Sequence, residues 1–310
     1  MAAGSKTVIV AALIGNAAIA VTKFVAAALT GSAAMLSEGI HSLVDTGNQV
    51  LLLFGMKRAQ LPASQRFPYG HGKEIYFWSF VVAISIFGVG AGVSIWEGVL
   101  HMLDPHPIED PTINYVVLAI ALCFEFVAWW MAARAFGRTR RGRGWVETVK
   151  RGKDPTLFVV LFEDSAAMLG LVVAFLGIWM AQVTGVIWLD GLASVIIGLI
   201  LAGTAIWLAV ETKSLLIGEA AEPEVEAGVR AICEAEPIVE GIHEILTLHM
   251  GPDFILVNLS VDFADTGTAQ TLEEAIARMD VSIREAFPRV RRVFIEAEGP
   301  ADAGADASTS

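Results

Sequence analysis

Two titratable side chains lie four residues apart inside a long apolar stretch. His41 and Asp45 occur in the run SEGIHSLVDTGNQ, within the apolar segment 34–56. On an α-helix, residues i and i+4 share one face and lie about one turn apart. An imidazole nitrogen and a carboxylate that point the same way offer two ligands to a divalent metal ion. The spacing therefore predicts part of a metal site on one helix.

A second acidic pair lies further along the chain. Glu163 and Asp164 are adjacent in the apolar segment 157–182. Charged residues inside spanning helices cost about 2.5–3.5 kcal/mol on insertion scales, so they face the protein interior and usually serve function. If the two segments pack together, one histidine and at least two carboxylates meet. Neighbouring helical residues point about 100° apart, so the direction of Glu163 relative to Asp164 stays open.

The elements that must position these residues are apolar segments long enough to span a membrane, which takes about 20 residues. Six stretches qualify: 7–29, 34–56, 75–100, 114–136, 157–182 and 187–210. The composition agrees, since only 17% of the residues are charged, against about 25% in soluble domains. The N-terminal run lacks a convincing cleavage site and is predicted to be a first helix rather than a signal peptide.

The segments that connect the six apolar stretches differ in their number of Lys and Arg residues. Before residue 212, twelve of the fourteen Lys and Arg residues lie between the second and third stretches, or between the fourth and fifth together with the last turn of the fourth. Because Lys and Arg accumulate on the cytoplasmic side, both termini are predicted to be cytoplasmic, or in the matrix if the membrane belongs to an organelle. A bacterial inner membrane and an organelle membrane both fit. Asp190 is expected at the membrane interface, and His101 in the solvent of an outer loop.

Residues 212–310 carry the whole net charge of -12. This break separates a transmembrane domain (1–211) from a soluble domain (212–300), and the polar tail 301–310 is predicted to be disordered. Sequence patterns predict a helix at 222–236, strands at 242–250 and 254–263, a helix at 270–287 and a strand at 290–297. The αββαβ order gives a small α+β domain with helices on one face of the sheet. The acidic balance excludes nucleic acid as a partner.

Three segments together resemble the cation diffusion facilitator family of zinc transporters. They are SAAMLSEGIHSLVDTGNQ at 32–49, FPYGHGKEI at 67–75 and LFEDSAAMLG at 161–170. The resemblance covers the chain from Val8 to about Gly299, and His41-x-x-x-Asp45 is similar to the branch with mitochondrial-type zinc transporters. It implies a homodimer with six transmembrane helices per protomer and a metallochaperone-like cytoplasmic domain. It also implies export of zinc in exchange for protons by alternating access, with no permanently bound cofactor.

The resemblance also implies roles for particular residues. His41 and Asp45 take the two ligand positions of the second helix, and Asp164 takes the second position of the fifth helix. The family pattern there is H-x-x-x-D, but the residue four before Asp164 is Val160, which cannot bind metal. Glu163, a water molecule or a residue from another helix is left to complete the metal shell.

Further metal positions follow from the same resemblance, which in many relatives includes a regulatory zinc site in the soluble domain. Here His243 matches such a position, Glu296 and Glu298 stand where other ligands occur, and His249 is an additional histidine. With so few matching ligands, a dimerisation domain that binds little metal is expected, and a regulatory metal site is the alternative.

The basic segment between the second and third stretches has a different expected role. A single histidine, His71, lies there between the cationic residues Arg66 and Lys73. This is a poor set of metal ligands, and contact with membrane phospholipid is expected instead.

Other functions compete with zinc/proton exchange. The same fold could export manganese, cobalt, nickel or iron, or form a metal-gated channel without proton coupling. A membrane-embedded enzyme acting through Asp45 and Asp164 is disfavoured, because the chain contains neither G-x-S-x-G nor H-E-x-x-H. A metal sensor is disfavoured by the few histidines of the soluble domain. The sequence therefore indicates a transporter and no enzyme.

Overall fold

A computed structural model describes residues 3–106, 111–138, 144, 147–149 and 152–299. Much of the basic segment predicted between the fourth and fifth membrane helices lies outside these residues, as does the whole tail 301–310 that is predicted to be disordered. The described residues form a helical membrane domain followed by a small α/β domain.

Long apolar helices build the membrane domain. Their bounds are Ala3–Thr30 (α1), Ala33–Ala59 (α2), Glu74–Ser85 (α3), Gly92–Leu103 (α4), Pro111–Gly137 (α5), Pro155–Thr184 (α6) and Leu189–Ile217 (α7). Five stretches of the described chain are long and apolar enough to cross a membrane: Ile9–Thr30, Glu74–Leu103, Pro111–Gly137, Pro155–Thr184 and Leu189–Ile217. α2 is as long but more polar, and it buries its polar side chains against the other helices. With α2, the predicted helical membrane architecture is confirmed.

α3 and α4 form one continuous rod through a π-helical segment, Ile86–Ala91. Beyond this segment, α4 packs closely on α7. A Cβ atom at Gly98 would lie 2.7 Å from the carbonyl oxygen of Gly191, so the two backbones touch where both residues lack a side chain. Ser194 donates a hydrogen bond of 2.8 Å to the carbonyl oxygen of Ser94. Small residues thus permit the close approach of these helices.

A buried cluster, the Asp190 clasp (Ser32, Ala33, His101 and Asp190), ties three helices together. The Ser32 hydroxyl donates to Asp190 Oδ1 at 2.8 Å, and the Ala33 N–H donates to Oδ2 at 2.7 Å. His101 Nε2 lies 3.8 Å from the same Oδ2. The expectation of a solvated His101 was therefore wrong, and Asp190, at the start of α7, is buried rather than exposed to solvent. The carboxylate is buried because the first N–H groups of α2 need an acceptor.

Removing the Asp190 carboxylate should destabilise the membrane domain. The Asp190→Ala variant leaves buried donors of α2 unsatisfied, which costs about 1–3 kcal/mol of unfolding free energy. We expect a lower melting temperature of the detergent-solubilised protein for this variant. Asp190→Asn, which keeps an oxygen acceptor, should lose less. An unchanged melting temperature in Asp190→Ala would contradict the role of the clasp.

The soluble domain has the predicted order of elements. Helix α8 (Pro223–Glu234) precedes strands β1 (Val239–Gly251) and β2 (Phe254–Phe263), and helix α9 (Ala269–Ala286) precedes strand β3 (Val290–Ala297). The sheet order is β1-β2-β3, with β1 antiparallel and β3 parallel to β2.

One face of this sheet forms the core of the soluble domain. Alternate residues of β2, including Val257 and Leu259, are buried, as the two-residue period of a strand requires. They pack in one core with Val229 of α8 and with Met279 and Ile283 of α9. The predicted α+β domain with helices on one face is confirmed.

Candidate functional site

His41 and Asp45 lie side by side on α2, within the membrane domain. His41 Nδ1 is 3.3 Å from Asp45 Oδ1, and each side chain is 1% exposed. Both ring nitrogens of His41 and the Oδ1 atom of Asp45 lack a hydrogen-bond partner. The contact thus leaves the atoms that could bind a metal ion unpaired.

Glu163 of α6 points towards α2. Its Oε1 atom accepts a hydrogen bond of 2.6 Å from the side-chain amide of Asn48, and its carboxyl group interacts with that of Asp45. The Oε2 atom is buried and unpaired. α6 therefore presents Glu163 to the α2 face that carries Asp45, and Asn48 holds the Glu163 side chain in this direction.

Asp164 is buried beside two other acids. Its side chain is 1% exposed, neither carboxylate oxygen has a hydrogen-bond partner, and its charged neighbours are Glu125 of α5 and Glu163. Glu125 likewise has two buried, unpaired oxygens. Val160, four residues before Asp164, is fully buried. α5 therefore adds a further acid, Glu125, beside the acidic pair of α6.

The arrangement has the donors of a metal site without the closed geometry of one. Among the described residues, no three His, Cys, Asp or Glu side chains lie close enough to hold one metal ion. Nevertheless, His41, Asp45, Glu163 and Asp164 all have buried, unpaired atoms, and Asp45 of α2 interacts with both acids of α6. Each unpaired buried polar group costs about 1–3 kcal/mol, and a cation among them would compensate this cost.

A buried ion pair beside this cluster was missed by the sequence reasoning. Lys23 Nζ of α1 lies 2.8 Å from Glu38 Oε2 of α2, and both side chains are 0% exposed. The same ammonium group donates to Ser42 Oγ at 2.9 Å. A lysine within an apolar helix requires a buried partner, which the sequence does signal, but the identity of that partner depends on how α1 and α2 pack.

The candidate ligands of the soluble domain lie apart from one another. His243 is on β1 and Glu296 on β3, the two edge strands, and both are exposed. Glu298 accepts a hydrogen bond from Ser260. His249 is fully buried, with Nδ1 3.3 Å from the carbonyl oxygen of Gly251. In this arrangement they form no shared cluster within the described chain.

Burial of His249 gives the soluble domain a pH-dependent stability. Burial lowers the pKa of His249 to about 4, below the usual value near 6.5, so the unfolded chain binds the proton more readily. The stabilisation is complete above about pH 6.5 and is lost as the pH falls towards 4, by up to roughly 3 kcal/mol. We expect amide exchange of β1 and β2 in the full chain, corrected for intrinsic rates, to accelerate over this interval. A His249→Asn variant that keeps the same acceleration would contradict this assignment.

Comparisons with known proteins agree with this architecture. Residues 9–217 match the cation efflux transmembrane domain family. The mitochondrial proton-coupled zinc antiporter SLC30A9 of Xenopus laevis is 34% identical over 262 residues, which are 84% of this chain and 47% of that protein. Metal tolerance protein C4 of Arabidopsis thaliana is 27% identical over 76% of this chain and 52% of its own length. The cation-efflux pump FieF of Shewanella oneidensis is 26% identical over 77% of this chain and 76% of its own length.

The matches cover most of this chain but different shares of the related proteins. The chain spans about half the length of the SLC30A9 and C4 relatives. The family match includes α2 as well as the five apolar spans and ends with α7 at residue 217. The chain therefore belongs to the cation efflux family, which is the cation diffusion facilitator family.

Proposed function

We propose that this chain exports a divalent metal cation, zinc above all, in exchange for protons. The observation that carries the proposal is the set of unpaired, buried donors of His41, Asp45, Glu163 and Asp164 in the membrane domain. Imidazole and carboxylate are both ligands that zinc accepts. Relatives named as a proton-coupled zinc antiporter and as a cation-efflux pump support the same activity.

The proposed metal shell spans α2 and α6. His41 and Asp45 supply ligands from α2, and Asp164 supplies one from α6. Glu163 takes the place that Val160 cannot fill, because its carboxylate already reaches the Asp45 carboxyl group and has a free oxygen. These four side chains do not surround one ion in the present arrangement, so binding requires the side chains or the helices to move.

Proton coupling follows from the chemistry of these ligands. Imidazole and carboxylates must lose their protons to bind a metal ion, so binding releases protons and protonation releases metal. His41→Ala should therefore weaken both zinc affinity and the dependence of transport on the pH gradient. Weaker affinity with unchanged proton coupling would assign the proton to another residue.

The decisive experiment is transport by the purified protein in liposomes. A zinc-sensitive dye inside the vesicles and an imposed pH gradient should report zinc movement for the wild type, with a matching proton flux. Asp45→Ala should abolish it. Glu97→Gln, which removes a half-buried acid of α4 outside the site, serves as the matched control. Zinc movement without a proton flux would indicate a channel, and no movement of any metal would refute the transporter.

One observation favours a second substrate. Val160 leaves the site with one imidazole and an excess of carboxylates, and oxygen-rich sites suit manganese better than zinc. Export of manganese, cobalt, nickel or iron by the same mechanism is therefore the alternative. The same vesicles distinguish the substrates, because each metal can be offered alone and in competition with zinc.

We further propose that the protein works as a homodimer with both termini on the cytoplasmic or matrix side. The concentration of Lys and Arg in two of the five connecting segments supports this orientation. Cysteine accessibility at exposed positions of the soluble domain would test the orientation, and the mass of the detergent-solubilised protein would test the dimer.

A further inference from the structure

The end of α4 carries two imidazoles and two carboxylates that are separate from the proposed transport ligands. His101 Nε2 lies 3.8 Å from Asp190 Oδ2, and the ring centroids of His101 and His106 are 6.1 Å apart. His106 Nε2 lies in turn 3.8 Å from Asp104 Oδ2. The four side chains are therefore successive neighbours, from buried Asp190 to exposed Asp104.

His101 has a ring nitrogen that the fold does not use. Its side chain is 10% exposed, and Nε2 is buried without a hydrogen-bond partner among the residues that the structure describes. The separation of 3.8 Å from the Asp190 carboxylate is longer than a hydrogen bond. Because an unpaired buried polar atom costs about 1–3 kcal/mol, a ligand at Nε2 would compensate this cost.

The Asp190 clasp fixes the carboxylate that lies next to this nitrogen. Asp190 accepts short hydrogen bonds from Ser32 Oγ and the Ala33 N–H, and a longer one of 3.4 Å from the Ala34 N–H. An ionised carboxylate has about four lone-pair sites, so it can still accept a further partner. Carboxylates that bind metal ions are usually oriented in this way by hydrogen bonds from the surrounding protein.

The separations within this group are close to those of a zinc site. Bonds from zinc to nitrogen and oxygen of about 2.0–2.2 Å place tetrahedral ligand atoms about 3.4 Å apart and two imidazole centroids about 5 Å apart. The observed separations of 3.8 and 6.1 Å are somewhat longer, and the described side chains do not yet surround one point. His106 and Asp104 are 67% and 87% exposed, so both can turn towards His101 without unpacking the interior.

We propose that the end of α4 binds a divalent cation, zinc above all, at a site distinct from the proposed transport site. Its ligands are two imidazoles and two carboxylates: His101, His106, Asp104 and Asp190. Imidazole and carboxylate together suit zinc better than they suit calcium or magnesium, which prefer oxygen ligands. The buried pair gives the site its fixed half, and the exposed pair closes on the ion from solvent.

The position of this site separates it from the α2/α6 ligands. Ala33, which bonds to Asp190, precedes His41 by eight residues, or about 12 Å along α2. Asp190 lies at the start of α7, and the soluble domain follows the end of this helix of 29 residues, about 40 Å away. A cation that leaves the transport site away from the soluble domain would therefore meet this second site. That role rests on the proposed function, whereas binding at the end of α4 does not.

Chemical labelling of histidines in the purified full chain tests the proposal. Diethyl pyrocarbonate modifies a free imidazole nitrogen, and peptide mass spectrometry measures the modified fraction of each histidine. Zinc ions alone, added in detergent, should slow the modification of His106 at least about tenfold, whereas magnesium ions should not. His101→Gln should weaken the zinc dependence of this protection by about tenfold or more, since even residues that only orient a ligand change affinity by 10–100-fold. The control Glu97→Gln, which removes a half-buried acid one turn before His101, should behave as the wild type.

Two further variants show where the protecting ion lies. Asp104→Asn changes an exposed side chain that does not contribute to packing, and it should raise the zinc concentration needed for half-maximal protection. Asp45→Ala removes a proposed transport ligand and should leave the protection of His106 unchanged, so failure of the transport site and failure of this site give different results. Unprotected His106 in the wild type, or undiminished protection in both His101→Gln and Asp104→Asn, would overturn the proposal. Loss of protection in Asp45→Ala would also overturn it, because zinc would then act from the transport site.

Discussion

Exchange of Glu163 for glutamine is expected to lower zinc affinity by at least about tenfold while leaving the helix packing intact. Glutamine has the same shape and keeps an oxygen that can accept the 2.6 Å hydrogen bond from Asn48. The exchange removes the negative charge beside Asp45. It also removes the carboxylate that we propose as the metal ligand in place of Val160. Groups that merely orient a ligand change metal affinity by 10–100-fold, so loss of a ligand should cost at least as much.

Zinc titration of the detergent-solubilised protein by calorimetry measures this effect. Asp164→Asn should lose at least as much affinity, and Glu97→Gln on α4 should behave as the wild type. The melting temperature without metal should change little in Glu163→Gln, which shows that the loss is not misfolding. Wild-type affinity in Glu163→Gln, together with a loss in Asp164→Asn, would restrict Glu163 to pairing with Asn48. The fourth ligand would then come from water or from Glu125.

Replacement of Lys23 by methionine should destabilise the membrane domain by about 3–5 kcal/mol. Lys23 and Glu38 are both fully buried and form an ion pair of 2.8 Å. Removing one partner leaves an uncompensated charge in an apolar interior, and losses of this size are typical. Methionine nearly matches the lysine side chain in length, so packing changes contribute little.

The double variant Lys23→Met/Glu38→Met distinguishes charge from packing. Replacing both members of a buried ion pair by apolar residues is often neutral or stabilising. We therefore expect the melting temperature to fall sharply in Lys23→Met and to recover for the most part in the double variant. If the single and double variants melted alike, the pair would contribute through shape rather than through charge.

The architecture was largely predictable because its causes are local. Apolar runs of about 20 residues predicted the spans, and β-branched runs around Gly251 and Pro252 predicted the hairpin of β1 and β2. Helix ends were less predictable: α7 continues to Ile217 rather than ending near residue 210. The long apolar run ends near residue 210, but the helix continues through the polar residues 211–214.

The site was predictable only in part, because its remaining features depend on how helices rotate against one another. The spacing of His41 and Asp45 predicted a shared face, and the structure places them 3.3 Å apart. The contacts of Glu163 with Asn48 and of Lys23 with Glu38 join separate helices, and no local pattern specifies them. The environment of Asp190 depends likewise on the position of α2. The assignment of the metal ligands stays a prediction until the titrations are done.

The π-helical segment between residues 86 and 91 decides where the continuous rod of α3 and α4 can lose a residue without changing its contact with α7. A π turn is equivalent to one extra residue inserted into an α-helix, and one residue rotates the following side chains by about 100°. The chain beyond residue 91 is thus one residue out of phase with the chain before residue 86. A one-residue deletion within the segment would restore a regular helix and keep Gly98 against Gly191. The same deletion at any regular turn between the segment and Gly98 would rotate Gly98 away from α7.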